Sequence, residues 1–257
     1  MNDGAELQDR VVLVTGGSRG IGRAIVLAAA AAGARVAFCA RSLGECAGEA
    51  LAEAAKLAGG ADRVLAVAAD VSREDDVEAL FNAATDRFDR VDVVVNNAGI
   101  NRDALLVQTA TEDFDDVIAT NLTGAFLVCR RAVQEFLTQS EGGRIVSVSS
   151  ISQHGAASQT AYAASKGGLL GLTRTVAKEY GHKGVVANLV TVGYVETDLT
   201  REVDDALRSA LVNASPLRRT GRPEEIASVI LFLASSRAGY VNGEAVCATG
   251  GLGEVTR

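Results

Sequence analysis

The chain has 257 residues, a formal net charge of −7 and 48% hydrophobic residues. That length holds one large α/β domain and is short for two ordinary ones with separate binding modules. With no lysine or arginine cluster longer than two and no apolar run of about 18 residues, nucleic acid is excluded as a principal partner and a bilayer as the solvent.

The first apolar β-rich run, 11–15, ends in Thr15-Gly16-Gly17-Ser18-Arg19-Gly20-Ile21-Gly22, and helical spacing follows over 20–32. Glycines 16, 20 and 22 between a strand and a helix let backbone N–H groups approach a pyrophosphate at the positive end of the helix dipole. The second strand, 35–40, leads through Cys39-Ala40 to Arg41 with no carboxylate at its tip. An acid at that place selects a free ribose 2′-hydroxyl. Arg41 and Arg19 instead offer two guanidinium groups to a 2′-phosphate, so NADP(H) is expected over NAD(H).

A helix over 43–57, a strand over 64–69, a helix over 74–88 and a strand over 91–96 continue the alternation and lead into Asn96-Asn97-Ala98-Gly99. Helical spacing then runs from 111 to 138, with Phe114, Val117, Ile118, Leu122, Ala125, Phe126 and Val133 on one apolar stripe. Asn121 interrupts the stripe, and a polar side chain there needs partners. Phe114 and Phe126 are expected in the core or a subunit interface. After a strand over 144–148 come Ser149 and Ser150, then Tyr162-Ala-Ala-Ser-Lys166 in a helix over 161–180. Four residues are about one helical turn, so the phenol and the ammonium share a face. A cation beside a phenol that ordinarily titrates near 10 is expected to lower its pKa and make Tyr162 a usable acid and base.

A strand over 185–191, a helix over 223–234 and a strand over 244–248 complete the pattern. Alternating strands and helices predict an α/β fold, a Rossmann-type doubly wound parallel sheet of about seven strands with ligand beyond the strand C-termini. The charged stretch 196–216 has no strand and is expected to form a helical flap over the cleft. Cys39, Cys46, Cys129 and Cys247 lack Cys-x-x-Cys spacing and fall mostly in apolar segments, so reduced, buried thiols and no metal are expected. The polar start, 1–6, lacks an export-signal pattern, and a cytoplasmic location is expected. His154 is expected in an exposed loop and His182 beside a helix C-terminus in a structural role.

Together, Thr15-Gly-x-x-x-Gly-x-Gly22, Asp70-Val71, Asn96-Asn-Ala-Gly99, Thr120-Asn121, Ser150, Tyr162-x-x-x-Lys166 and Glu196-Thr197 resemble the short-chain dehydrogenase/reductase family over 11–251. Within it, Gly99-Ile-Asn-Arg-Asp-x-Leu-Leu106 and Gly221-Arg-Pro-Glu-Glu-Ile226 resemble the 3-oxoacyl-(acyl-carrier-protein) reductases. The resemblance implies that Gly16, Ser18, Arg19, Gly20, Ile21, Gly22 and Arg41 hold the phosphates of NADP(H). It also implies adenine contacts from Asp70 and Val71, and passage of Asn97, Ala98 and Gly99 beneath the adenosine ribose. Val195 and Thr197 would hold the nicotinamide end, and Lys166 the nicotinamide ribose. In the implied chemistry Tyr162 gives a proton to a ketone oxygen, Ser150 hydrogen-bonds that oxygen, and Asn121 holds a water in a relay to Lys166. Homotetramers are implied as well, with the 111–138 and 161–180 helices at the interface.

The interval from Ser150 to Tyr162 is one residue shorter than the family's, and Ser149 would restore it; strand register favours Ser150, with Ser149 the alternate. Val192 stands where the family has proline. Glu141 stands where carrier-protein reductases place a base, leaving Lys183, His182, Arg130 and Arg131 as the nearby cations. The expected substrate is a 3-oxoacyl thioester on acyl-carrier protein or coenzyme A, reduced to the 3-hydroxyacyl product. The alternatives are a reductase of a polyketide, steroid or sugar ketone in specialised metabolism, and a non-catalytic NADP-binding sensor.

Overall fold

The computed structural model describes residues 7–197 and 205–252. Its strands are β1 (Val11–Thr15), β2 (Arg35–Ala40), β3 (Val64–Ala68), β4 (Val93–Asn96), β5 (Gly143–Ser150), β6 (Val185–Val192) and β7 (Ala245–Ala248). They form one sheet in the order β3-β2-β1-β4-β5-β6-β7, with every neighbouring pair parallel. The α-helices are α1 (Gly20–Ala31), α2 (Glu45–Ala58), α3 (Glu74–Phe88), α4 (Thr111–Ile118), α5 (Gly124–Thr138), α6 (Thr160–Tyr180), α7 (Asp205–Ala214) and α8 (Pro223–Ala234).

Successive side chains of a strand point to opposite faces, which is why these strands are apolar at nearly every position. Val12, Val14, Val36, Phe38, Val146 and Val148 enter a core shared with Ile25 of α1, Ala50 of α2 and Ile230 of α8. Val11, Leu13, Ala37, Ile145 and Ala187 enter the opposite core with Phe81 of α3, Val128 and Phe136 of α5 and Val176 of α6. Burying a side chain such as Phe81 or Ile230 is worth about 1.5–3 kcal/mol. The strand order reverses between β1 and β4, so a crevice opens beyond their C-terminal ends.

Three expectations change. The stretch 111–138 is two helices joined by a π turn, Ala119–Thr123, which carries Asn121. The strand at 91–96 begins at Val93, because the Asp92 carboxylate takes the Val11 N–H at 2.8 Å. Cys39 and Cys129 are buried, but Cys46 and Cys247 are exposed, Cys46 on α2 and Cys247 on the edge strand β7. Of the two places expected for Phe126 the core is ruled out, since it is exposed on the outer side of α5 with the Arg130 guanidinium 5.3 Å from its ring centre. The expected flap contains α7, while 198–204 lie outside the described residues.

Candidate active site

The glycine loop leaves β1 with Gly16 at φ +66° and reaches α1 with Gly20 at φ +55°, both in the left-handed region that favours glycine. A Cβ on Gly22 would lie 2.0 Å from Gly16 O, so the helix can start this close only without a side chain there. Asn97 Nδ2 donates to Thr15 O at 2.9 Å and to Gly16 O at 3.0 Å, while Thr15 Oγ1 accepts the Asn97 and Ala98 N–H groups, each at 3.0 Å. These bonds join the loops after β1 and β4 into one wall. No side chain caps α1 and no acid occupies its first turn, so its positive end faces the cleft uncompensated.

The cleft has a volume of about 980 Å³, and every residue expected to touch cofactor lines it, from Gly16 to Thr197. Arg19 and Arg41 stand exposed on its rim. Burial raises the Asp70 carboxyl, but the Ser72 hydroxyl and N–H and the charges of Arg41 and Arg73 outweigh it and hold Asp70 below the ordinary carboxylate range. Ser72 donates to Asp70 Oδ1 from Oγ at 2.7 Å and from N at 3.0 Å. An uncapped helix start, a glycine loop and two rim guanidiniums fit the phosphates of a dinucleotide.

At the other end of the cleft the two serines separate. Ser149 is buried, and its Oγ lies 2.9 Å from Gln153 Oε1 and 3.1 Å from Lys166 O. Ser150 is the serine whose hydroxyl acts on the Tyr162 phenol, in the direction that lowers its pKa. Lys166 Nζ donates to Val148 O at 2.8 Å and lies 5.6 Å from the centre of the Tyr162 ring. Burial pushes the Lys166 ammonium down to about 8.

The Tyr162 phenol moves opposite to expectation. Burial raises it, and Asp103 adds to the rise, while the Ser150 hydrogen bond only partly offsets them. The ammonium does not lower it because Lys166 is directed at the Val148 carbonyl beside the ring rather than at the phenol oxygen.

Asn121 lies outside the wall of the cleft. Its Oδ1 accepts from Ile100 N at 2.8 Å, and its Nδ2 donates to Ile100 O at 2.9 Å and Ser165 Oγ at 3.1 Å. The π turn rotates it inward to make this clamp. Behind it, Thr15, Asn96, Thr120, Asn121 and Lys166 enclose a void of about 10 Å³, close to the room one water needs. Asn96 Oδ1 is a buried acceptor without a hydrogen-bond partner among the described residues.

Asp103, Ser152, Gln159, Tyr194, Leu211 and Leu252 also line the cleft and carried no sequence signal of their own, apart from Asp103 within a quoted motif. His154 is exposed on the cleft rim beside Gln153. At Val192, β6 still pairs with Ser150 of β5 and Ala248 of β7, so the ladder runs through the position where proline was expected. Glu141 sits just before β5, at the opposite end from Ser150, and bonds Arg10 at 2.7 Å. Arg130 pairs with Glu74, and Arg131 with Glu78 and Glu135, which leaves Lys183 and His182 exposed on the turn after α6.

Residues 16–253 match the family described as Enoyl-(Acyl carrier protein) reductase. The chain belongs to the short-chain dehydrogenase/reductase family. It is 43% identical over 249 residues to the 3-oxoacyl-[acyl-carrier-protein] reductase FabG of Pseudomonas aeruginosa, covering 96% of this chain and 98% of that one. It is 40% identical over 248 residues to a 3-oxoacyl-[acyl-carrier-protein] reductase of Synechocystis sp., with the same coverage. Among solved structures, levodione reductase superposes with a TM-score of 0.91 at 35% identity, covering 96% of this chain and 98% of that one. A short-chain type dehydrogenase/reductase from Mycobacterium marinum gives 0.90 at 33% identity, with 96% of each chain covered. The protein is an oxidoreductase, and as a family member it uses a nicotinamide cofactor. No helix among the described residues is long and apolar enough to cross a membrane.

Proposed function

We propose that this family member is an NADPH-dependent ketoreductase that converts a 3-oxoacyl thioester, on acyl-carrier protein or coenzyme A, to the 3-hydroxyacyl product. The observation that carries this reading is that Ser150, Tyr162 and, one helical turn on, Lys166 line the same cleft as the glycine loop. When bound, NADPH supplies the hydride that adds to the carbonyl carbon. Tyr162, whose phenol is raised, stays protonated at neutral pH and gives its proton to the oxygen as charge develops there. Ser150 is the second donor to that oxygen, and Lys166, titrating at about 8, is mostly an ammonium at neutral pH and holds a proton for the return of Tyr162 to its protonated form. Asn121 holds Ile100 in place, and a water in the adjoining void would link Lys166 to Asn96 for reprotonation.

Arg19 and Arg41 support the choice of NADPH, and the 38–43% identity to carrier-protein reductases supports the thioester. The reading places the enzyme in the cytoplasm as a homotetramer, for which Phe126 and Leu137, exposed on α5, offer apolar surface. A second reading, reduction of a smaller ketone, is favoured by the likeness to levodione reductase and by Glu141 being held away from the cleft.

The test is NADPH oxidation with acetoacetyl-coenzyme A and then with the same acyl group on acyl-carrier protein, using NADH and crotonoyl-coenzyme A as controls. Rapid NADPH-specific turnover of the ketones but not of the alkene is expected. Arg41→Ala should raise the KM for NADPH about tenfold and leave that for NADH unchanged. Turnover of the alkene, or of a cyclic diketone in place of both thioesters, would replace the reading.

A further inference from the structure

Ser150 is one end of a row of three polar side chains lining the cleft, and the reaction above uses only that end. Ser150 Oγ donates to Ser152 Oγ at 3.2 Å, Ser152 Oγ donates to Gln159 Oε1 at 2.7 Å, and the Ser152 N–H donates back to Ser150 Oγ at 3.2 Å. A serine hydroxyl has one proton and a carboxamide oxygen has none. With the Ser152 proton given to Gln159, Ser152 receives the Ser150 proton. So arranged, Ser150 has no proton left for a substrate oxygen.

The backbone holds Gln159 in place for this contact. Gln159 is the N-cap of α6, yet its side chain makes no capping bond. Ser158 before it is held at φ +64°, a left-handed conformation that a serine keeps only where its surroundings impose it. Those surroundings include the Ala104 N–H, which donates to Ser158 O at 2.9 Å, and the pairing of Ala104 with Gln159.

The geometry points to Gln159, acting through Ser152, as a positioning residue that sets the direction of the Ser150 hydroxyl. With Oε1 toward Ser152, the Ser150 proton is held within the row. With the amide turned so that Nε2 faces Ser152, each proton in the row reverses: Ser152 accepts from Gln159 and donates to Ser150, whose proton is released to the ketone oxygen. No covalent bond changes, because each hydroxyl proton only rotates about its own oxygen. The second arrangement rests on the ketoreductase reading given above.

Gln159→Glu keeps the shape but ties proton direction to pH. An ionised carboxylate only accepts and locks the first arrangement, whereas a protonated one can donate again. At alkaline pH, kcat for acetoacetyl-coenzyme A should fall about tenfold or more below wild type, with the KM for NADPH unchanged. The ratio of variant to wild type should climb back as pH drops through the new carboxyl's titration. The other titratable groups lining this cleft end are Asp103 after β4, His154 after β5, Tyr162 and Lys166 on α6 and Tyr194 after β6. All are present in both proteins, so a rise in the ratio reports the new carboxyl. Ser152→Ala should give a ratio independent of pH. A flat ratio for Gln159→Glu, or one equal to wild type throughout, overturns the inference.

A second measurement needs no substrate. The phenolate absorption of Tyr162, isolated by difference against Tyr162→Phe, should titrate lower in Ser152→Ala than in wild type, because the Ser150 proton then turns to the phenol oxygen. An unmoved titration also overturns the inference. Failure of wild type to reduce any ketone would remove the reaction assigned above while this titration still decided the direction of the row.

Discussion

Asp92 and Lys166 lie toward opposite ends of the sheet, 5% and 4% exposed, and their surroundings are built on opposite terms. Asp92, just before β4, accepts the Val11 N–H at 2.8 Å, Arg10 at 2.9 Å and Arg90 at 2.6 Å, with Glu141 balancing the same arginines from outside. Lys166, beside the C-terminal end of β5, has the Val148 carbonyl at 2.8 Å and no carboxylate within salt-bridge distance among the described residues. A buried charge with all its partners becomes part of the scaffold. One given a single neutral acceptor keeps a proton it can exchange, at the cost of a lowered pKa. The cleft end of the sheet thus holds a buried cation with one neutral acceptor, and the opposite end a buried anion with three donors.

The largest effect expected from that contrast is at Tyr162. Tyr162→Phe should lower kcat by roughly a thousandfold, with unchanged thermal stability and NADPH Kd, measured by steady-state kinetics and fluorescence titration. Undiminished turnover would move the acid elsewhere, and an unchanged biological output without turnover would make the protein a sensor.

Asp92→Ala should do the reverse. It leaves the Val11 N–H without an acceptor and Arg10 and Arg90 with Glu141 alone, and should cost about 2–3 kcal/mol of stability in urea unfolding. The kcat of the folded enzyme should stay at the wild-type value. Loss of turnover without loss of stability would break the division between the two ends.

The smallest effect is a slope. Lys166 titrates at about 8 in the folded chain against 10.5 as an ordinary lysine. Below pH 8 both states are charged and the burial cost is full; above 10.5 both are neutral and the cost has gone. Between these values the unfolded chain binds more protons, so stability rises with pH across that window. Lys166→Met should remove that rise when chemical unfolding is followed across the window. A rise of the same size in the variant would mean that Lys166 is not the group responsible.

Much of this was legible in the residues. Strict apolar runs marked the seven strands, since a strand buried on both faces has no polar side to show. The Tyr162–Lys166 pair followed from helical spacing, and the glycine loop from its place between β1 and α1. The choice between Ser149 and Ser150 was not so secure, because neighbours on a strand face opposite ways and only the pairing of β5 with β6 decides which one meets Tyr162. The exposure of Cys247 was hidden in the same way, since an edge position is a property of the sheet order.

The sequence by itself determined what is written within a few turns of chain: element type, the positive-φ glycines, and which face carries the phenol and the ammonium. Tertiary structure alone decided contacts between distant segments. Glu141 meets Arg10 across 131 positions, Asn121 clamps Ile100 across 21, and Asp103 acts on Tyr162 from another loop. It also decided the sign of the Tyr162 shift, because local spacing can place a cation near a phenol, but how deeply the pair is buried and where the ammonium points depend on everything packed around them.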